Sequence, residues 1–144
     1  MREPRSQSLT LPSDPVRLRE ARRWLVRVAV EAGLSATEGH DLAVAFSEVC
    51  ANVHRHAYRG RRDGRVEVAV RVDADSLVVS VDHHGERFDP RAYTPPDLTR
   101  AAEGGYGLYL ISQLVDGVSF EGTEHGGRVV LVKNRSAAGV RRGA

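Results

Sequence analysis

Apolar and polar residues alternate in five short stretches of the chain: SLTL (Ser8 to Leu11), VEVAVRV (Val66 to Val72), LVVSV (Leu77 to Val81), GVSFEGT (Gly117 to Thr123) and RVVLVKN (Arg128 to Asn134). A period of two carried by β-branched residues predicts strands. The second and third are joined by DADS as a hairpin, and the last two close around Gly126 and Gly127. Elsewhere the period lengthens to that of a helix. Asp14 before Pro15 is a cap followed by a favoured first position, and Val16, Leu18, Leu25, Val28 and Ala29, with Trp24 beside them, form an apolar stripe that runs to Ala32. Gly33 supplies the stop.

Ser35 and Glu38 stand at capping-box spacing, so a second helix starts there and continues past His56. LYLISQLV, ending at Val115, predicts a third. Between them, Gly85 to Gly107 is too rich in Pro and Gly for regular structure, and a loop of about twenty residues inside a compact domain is usually functional or disordered. The order β, α, α, β, β, loop, α, β, β predicts an α+β fold, a two-layer sandwich with helices on one face of a mostly antiparallel sheet. No internal repeat is visible.

Length narrows the organisation. With 144 residues, 41% of them hydrophobic, the chain suffices for one domain and its core. We expect a flexible stretch over 1–7, the domain over 8–134 and a disordered tail over 135–144. The 21 basic residues against 19 acidic ones give a net charge of +2, and Lys133 is the only lysine. Arg59, Arg61, Arg62 and Arg65 gather around one turn without alternating aromatics, which reads as a solvated loop and not a nucleic-acid face. The single Cys50 rules out an internal disulfide and reads as a small core residue. No apolar run has the length of a membrane span, and the opening residues lack the apolar core of a signal peptide, so the expected location is the cytoplasm.

The chemistry gathers on the second helix. At about 100° per residue, Leu42, Phe46, Val49 and Val53 fall in one stripe, and Glu48 and Asn52 lie together on its flank. Alone, such a pair reads as solvated surface. Asn52 offers a neutral oxygen suited to Mg²⁺ that also bridges nucleotide phosphates, and Glu48, one turn earlier, can take a proton from an attacking hydroxyl. Gly104, Gly105 and Gly107 precede the third helix, where free N–H groups favour anions.

Three stretches, SEVCANVHRHAY, VDHHGERFDP and EGGYGLYLISQLVD, resemble in order and spacing the three boxes of the GHKL (Bergerat-fold) ATPase superfamily, most closely its anti-sigma-factor serine-protein kinases of the RsbW type. The resemblance covers Ser8 to about Asn134. It implies ATP and Mg²⁺ as cofactors, Glu48 as the catalytic base, Asn52 as the metal ligand, and a nucleotide held by Asn52, His56, His83, Gly85, Phe88, Gly104, Gly105, Gly107 and Leu108. It implies a lid between Phe88 and Gly105. It also implies partners: a sigma factor, an anti-anti-sigma (STAS-domain) protein that is phosphorylated, and a second copy of the chain. The alternative is a nucleotide-free binding module that sequesters a sigma factor or another regulator without phosphorylating anything.

The boxes depart from the family at three positions. His83 stands where relatives carry an Asp that receives the adenine amine, Arg87 replaces a glycine, and Arg128 replaces a Thr that supports that Asp. Asp82 is one residue away and faces the other side of its strand. Exchanging the carboxylate for a neutral imidazole costs about 1–2 kcal/mol, roughly 5- to 30-fold in affinity. All three changes are expected to touch the base pocket.

Overall fold

The computed structural model describes residues 5–85 and 106–135. Strand β1 (Arg5–Pro12) leads into α1 (Pro15–Glu31) and α2 (Ala36–Asn52), which passes without a break into a π-helical turn, Val53–Ala57. The hairpin β2 (Arg65–Val72) and β3 (Ser76–His83) follows, then α3 (Tyr106–Leu114), β4 (Gly117–Gly122) and β5 (Gly127–Asn134). The sheet order is β1-β2-β3-β5-β4, antiparallel throughout. This is the expected two-layer α+β sandwich.

Local chemistry accounts for the helix ends. Asp14 accepts from the Val16 amide at 3.0 Å and Pro15 opens α1, while Gly33 closes it with a φ of +93°, an angle that only glycine adopts without strain. The Ser35 and Glu38 capping box is reciprocal: the Glu38 amide donates to Ser35 Oγ at 3.1 Å and the Ser35 amide donates to Glu38 Oε1 at 2.8 Å. One expectation for α1 fails. Val16 is 52% exposed, because Leu18, Ala21, Leu25, Val28 and Ala29 complete the buried stripe without it.

The core lies between the helices and one face of the sheet. Along β2 and β3, Val66, Val68, Val70, Leu77, Val79 and Val81 point inward, and Phe46, Leu42 and Val49 of α2 press on them. The strand β1 starts at Arg5, within the stretch expected to be flexible, because its backbone pairs with β2 from Arg5↔Val72 onward, whatever the polarity of its side chains. At the other end, Arg135 is fixed in place: its guanidinium donates to the carbonyls of Ala32, Asp73 and Ala74, joining the end of α1 to the β2–β3 turn.

Among the described residues, two polar ones are buried with this core, Ser13 and His83. Ser13 is fully satisfied: its Oγ donates to the Arg61 carbonyl at 2.7 Å and accepts from the Gly64 amide at 3.0 Å. His83, 2% exposed, continues the inward row of β3, and among the described residues its Nδ1 has no hydrogen-bond partner. Burial pushes its imidazole below the ordinary value of 6.5, against an opposing pull from Asp82. Cys50 is buried as expected, and burial pushes its thiol up to about 12.

The neutral His83 makes stability fall on mild acidification. Below pH 6.5 the unfolded chain takes up a proton that the folded one refuses, so stability is full above that pH and declines as pH drops towards the lowered folded value. Urea titrations between pH 7.5 and 5 should show the wild type losing up to about 1.4 kcal/mol per pH unit more than His83→Asn; parallel losses would contradict the burial of a neutral ring. Gly85→Ala should cost about 1–3 kcal/mol in the same assay, since a Cβ there runs into the Ala57 carbonyl and the Tyr58 ring.

Candidate functional site

The flank of α2 that carries Glu48 and Asn52 continues through Asp41 and Ala45, at spacings of four, three and four residues along one helical stripe. Lys133 shows what that stripe faces. Its Nζ sits 3.7 Å from Asp41 Oδ2 and donates to the Leu114 carbonyl at 2.8 Å, so the stripe is turned towards the C-terminal end of α3. Helix α3 packs against α2 with Ile111 fully buried.

The strand register fixes the direction of both helices. Lys133 pairs with Leu77 at one end of β3, and Gly127 pairs with His83 at the other. Helix α2 starts near the Lys133 end and finishes in the π-helical turn, whose Ala57 carbonyl lies against Gly85, just beyond His83. Helix α3 finishes at the Lys133 end, and the Asp116 amide donates to the Val132 carbonyl as the chain reverses into β4. The two helices are therefore antiparallel. The C-terminus of α2, with Asn52, and the N-terminus of α3, with the backbone of Gly107 and Leu108, both lie towards the His83 end of the sheet.

Glu48 and Asn52 are half-buried there, and among the described residues neither makes a hydrogen bond or ion pair. A half-buried carboxylate and carboxamide with no internal partner keep their acceptor oxygens available to a ligand. Directly after Asn52 the helix widens to the π form, a local irregularity that recurs at functional sites. No feature of the HRHA stretch announced it, since the α and π patterns share their apolar positions over one turn. Its effect is to carry His54 to Ser13, where Nδ1 lies 2.8 Å from the carbonyl oxygen, and to leave His56 exposed.

The far wall is held by Tyr58, a residue sequence reasoning did not single out. Its hydroxyl donates to the Arg65 carbonyl and accepts from the His84 amide at 2.7 Å, linking the π-helical turn to the start of β2 and the end of β3. Its ring stands edge-on to His83 at 6.3 Å and carries Arg61 over its face at 5.9 Å. Cβ atoms at Gly64 or Gly85 would collide with that ring. Gly85 thus serves close backbone approach, and the buried aromatic among small neighbours was the available signal.

His83 points inward at this end, and Asp82 points away, as the alternation requires. The ladder between β2 and β3 runs without a bulge from Val72↔Leu77 to Val66↔His83. Asp82 instead takes a bidentate pair from Arg128, at 2.8 and 2.9 Å, on the outer face of the sheet. The expectation that Arg128 alters the base pocket is therefore corrected: it pairs in register with Asp82, and Gly127 is the residue opposite His83. Phe88, Gly104, Gly105, Arg87 and the expected lid lie outside the described residues.

A family model described as histidine kinase-like ATPase domain matches residues 11–133. The chain is 35% identical over 134 residues to the serine-protein kinase RsbW of Listeria monocytogenes, covering 88% of this chain and 85% of that protein. It is 34% identical over 132 residues to the serine-protein kinase RsbW of Bacillus subtilis, covering 86% of this chain and 81% of that one. A crystal structure of the RsbU and RsbW domains of a Mycobacterium tuberculosis protein superposes with a TM-score of 0.66 at 20% identity, over 91% of this chain and 32% of that longer one, and shows the same fold. The antiparallel sheet with its helices on one face, the Glu48 and Asn52 flank and these similarities agree: the chain belongs to the histidine kinase-like ATPase domain family and is of the RsbW type.

Proposed function

We propose that this domain is an ATP-dependent protein serine/threonine kinase that phosphorylates an anti-anti-sigma (STAS-type) protein and, in the alternative complex, holds a sigma factor. The observation that carries this reading is the half-buried Glu48 and Asn52 pair, without a hydrogen-bond or ion-pair partner among the described residues, on the α2 flank that continues from Asp41 beside the Lys133 contact to α3. The kinase relatives supply the reaction class.

The residues suit that reaction. Asn52 presents a neutral carbonyl oxygen, a hard ligand of the type that would hold Mg²⁺, and the ion would supply positive charge to offset that of a phosphoryl group. The first-turn amides of α3, including those of Gly107 and Leu108, have no acceptor within the helix and favour the same anion. Glu48 lies one turn behind Asn52 on the same flank. There its carboxylate accepts the proton of the partner's seryl hydroxyl as that oxygen bonds to the γ-phosphorus and the bond to the β-phosphate bridging oxygen breaks, with ADP leaving. His83 reaches the base end of the nucleotide from β3. Association into a homodimer belongs to the same proposal, and sedimentation velocity reads it directly.

One observation favours the second reading, a binding module that works without nucleotide: the buried group at the base position is a neutral imidazole in place of a carboxylate. Calorimetry separates the two. Mg²⁺-dependent ATP binding should be measurable on the wild type and tighten roughly 5- to 30-fold in His83→Asp; silence from both proteins would leave the binding module. Asn52→Ala should remove the Mg²⁺ dependence. Glu48→Gln should retain ATP binding while phosphotransfer to a STAS-type substrate falls by about 10²–10⁴-fold, and unchanged transfer would take the role of base away from Glu48.

A further inference from the structure

Two histidines that the nucleotide reading leaves unused come together at the surface. His84 follows the last residue of β3, and His125 stands in the turn between β4 and β5; their imidazole rings lie 5.2 Å apart between centres, tilted by 34°. Both residues are exposed, and among the described residues neither ring makes a hydrogen bond or ion pair.

The backbone beneath the rings is fixed on both sides. The His84 amide donates to the Tyr58 hydroxyl at 2.7 Å. The Thr123 amide donates to the Gly126 carbonyl at 3.2 Å, and the Gly126 amide donates to Thr123 Oγ1 at 3.1 Å, closing the turn that presents His125. That turn rests directly on the chain leaving β3, since a Cβ on Gly126 would come within 2.9 Å of the His84 Cα and 3.0 Å of the Gly85 carbonyl oxygen. One residue further on, Gly127 pairs with His83 in the ladder. The two imidazoles are thus neighbours because paired strand ends place them so.

Their spacing has a chemical meaning. A tetrahedral ion bonded at about 2.1 Å to one nitrogen of each of two imidazoles sets the ring centres about 5.3 Å apart. The rings already stand at that separation. Each is free to turn about χ2, whose well is broad, and so to bring a nitrogen forward. Neutral imidazole suits Zn²⁺, Ni²⁺ and Cu²⁺, whereas Mg²⁺ takes oxygen ligands. Among the described residues no group of three or more His, Cys, Asp or Glu forms a metal cage, so the remaining coordination positions belong to water.

We propose that His84 and His125 form a two-histidine site for a divalent cation of the Zn²⁺ class, which clips the β4–β5 turn to the chain leaving β3. The site shares no residue with the Glu48 and Asn52 flank, and its test is independent of the nucleotide reading. Its two ligands are distant in sequence and adjacent only in the folded chain, so the ion binds the folded state and stabilises it.

The test is calorimetric titration of ZnCl₂ into the metal-free full chain, with Mg²⁺ in excess, and long-range ¹H–¹⁵N spectra of the histidine rings before and after. The expected result is equimolar Zn²⁺ binding that Mg²⁺ does not displace, with the ring signals of His84 and His125 moving together. His84→Asn and His125→Asn, both at exposed positions, should each weaken binding by about tenfold or more, and His40→Asn should leave it unchanged. The urea midpoint should rise with Zn²⁺ in the wild type and stay put in either variant, and the metal-free curves show that each variant is folded. Absence of Zn²⁺ binding, or an affinity that survives either substitution, would overturn the site. Displacement by Mg²⁺ would also overturn it, since the ion would then belong to oxygen ligands elsewhere.

Discussion

Side chains alternate along β3, and that alternation carries His83 inward behind Leu77, Val79 and Val81 while sending Asp82 outward to Arg128. The strand pairs on both sides without a bulge, so no local slip can exchange the two. Were the register shifted by one residue, the whole valine row would leave the core together with His83. The cost of that shift is the hydrophobic stabilisation of the sheet, several side chains at about 1.5–3 kcal/mol each. The placement of His83 is thus tied to the same packing that holds the fold together, and its acidic neighbour is kept on the opposite face by geometry.

The other side of the site depends on a different kind of constraint. Lys133 fastens α2 to the end of α3 at the edge remote from His83, and Tyr58 fastens the π-helical turn to β2 and β3 at the near edge. Between these two ties, the flank of α2 is held towards α3, and among the described residues neither Glu48 nor Asn52 is consumed by a hydrogen bond or ion pair. Charged and amide groups in that position are left with acceptor capacity that the fold does not use. Preorganised groups of this kind contribute to binding because their placement was established when the domain folded.

Much of this was legible in the order of residues. The five strands, the three helices, the Asp14 cap, the Ser35 and Glu38 box and the Gly33 stop follow from periodicity and end chemistry, and the structure places them within a few residues of expectation. The pairing of Glu48 with Asn52 was legible because four residues make one helical turn. What sequence did not reveal depends on long-range contact. The inclusion of Arg5 to Gln7 in β1 comes from backbone pairing to β2, which polar side chains neither favour nor forbid. The exposure of Val16 reflects where α1 meets its neighbours, and the outward course of Arg128 depends on which residue of β5 faces His83. The π-helical turn has no pattern of its own at a length of one turn.

Cys50 sits between Glu48 and Asn52 in sequence yet on the opposite side of the helix, sealed against the core. With its thiol held at about 12, almost none is thiolate at neutral pH, and alkylating reagents reach it only when α2 lifts from the sheet. As the lone sulfhydryl of the chain, it therefore reports the opening of the helix that carries Glu48 and Asn52. The domain contains its own chemical clock for the motion that lifts that helix from the sheet, one whose rate any ligand bridging α2 and α3 must slow.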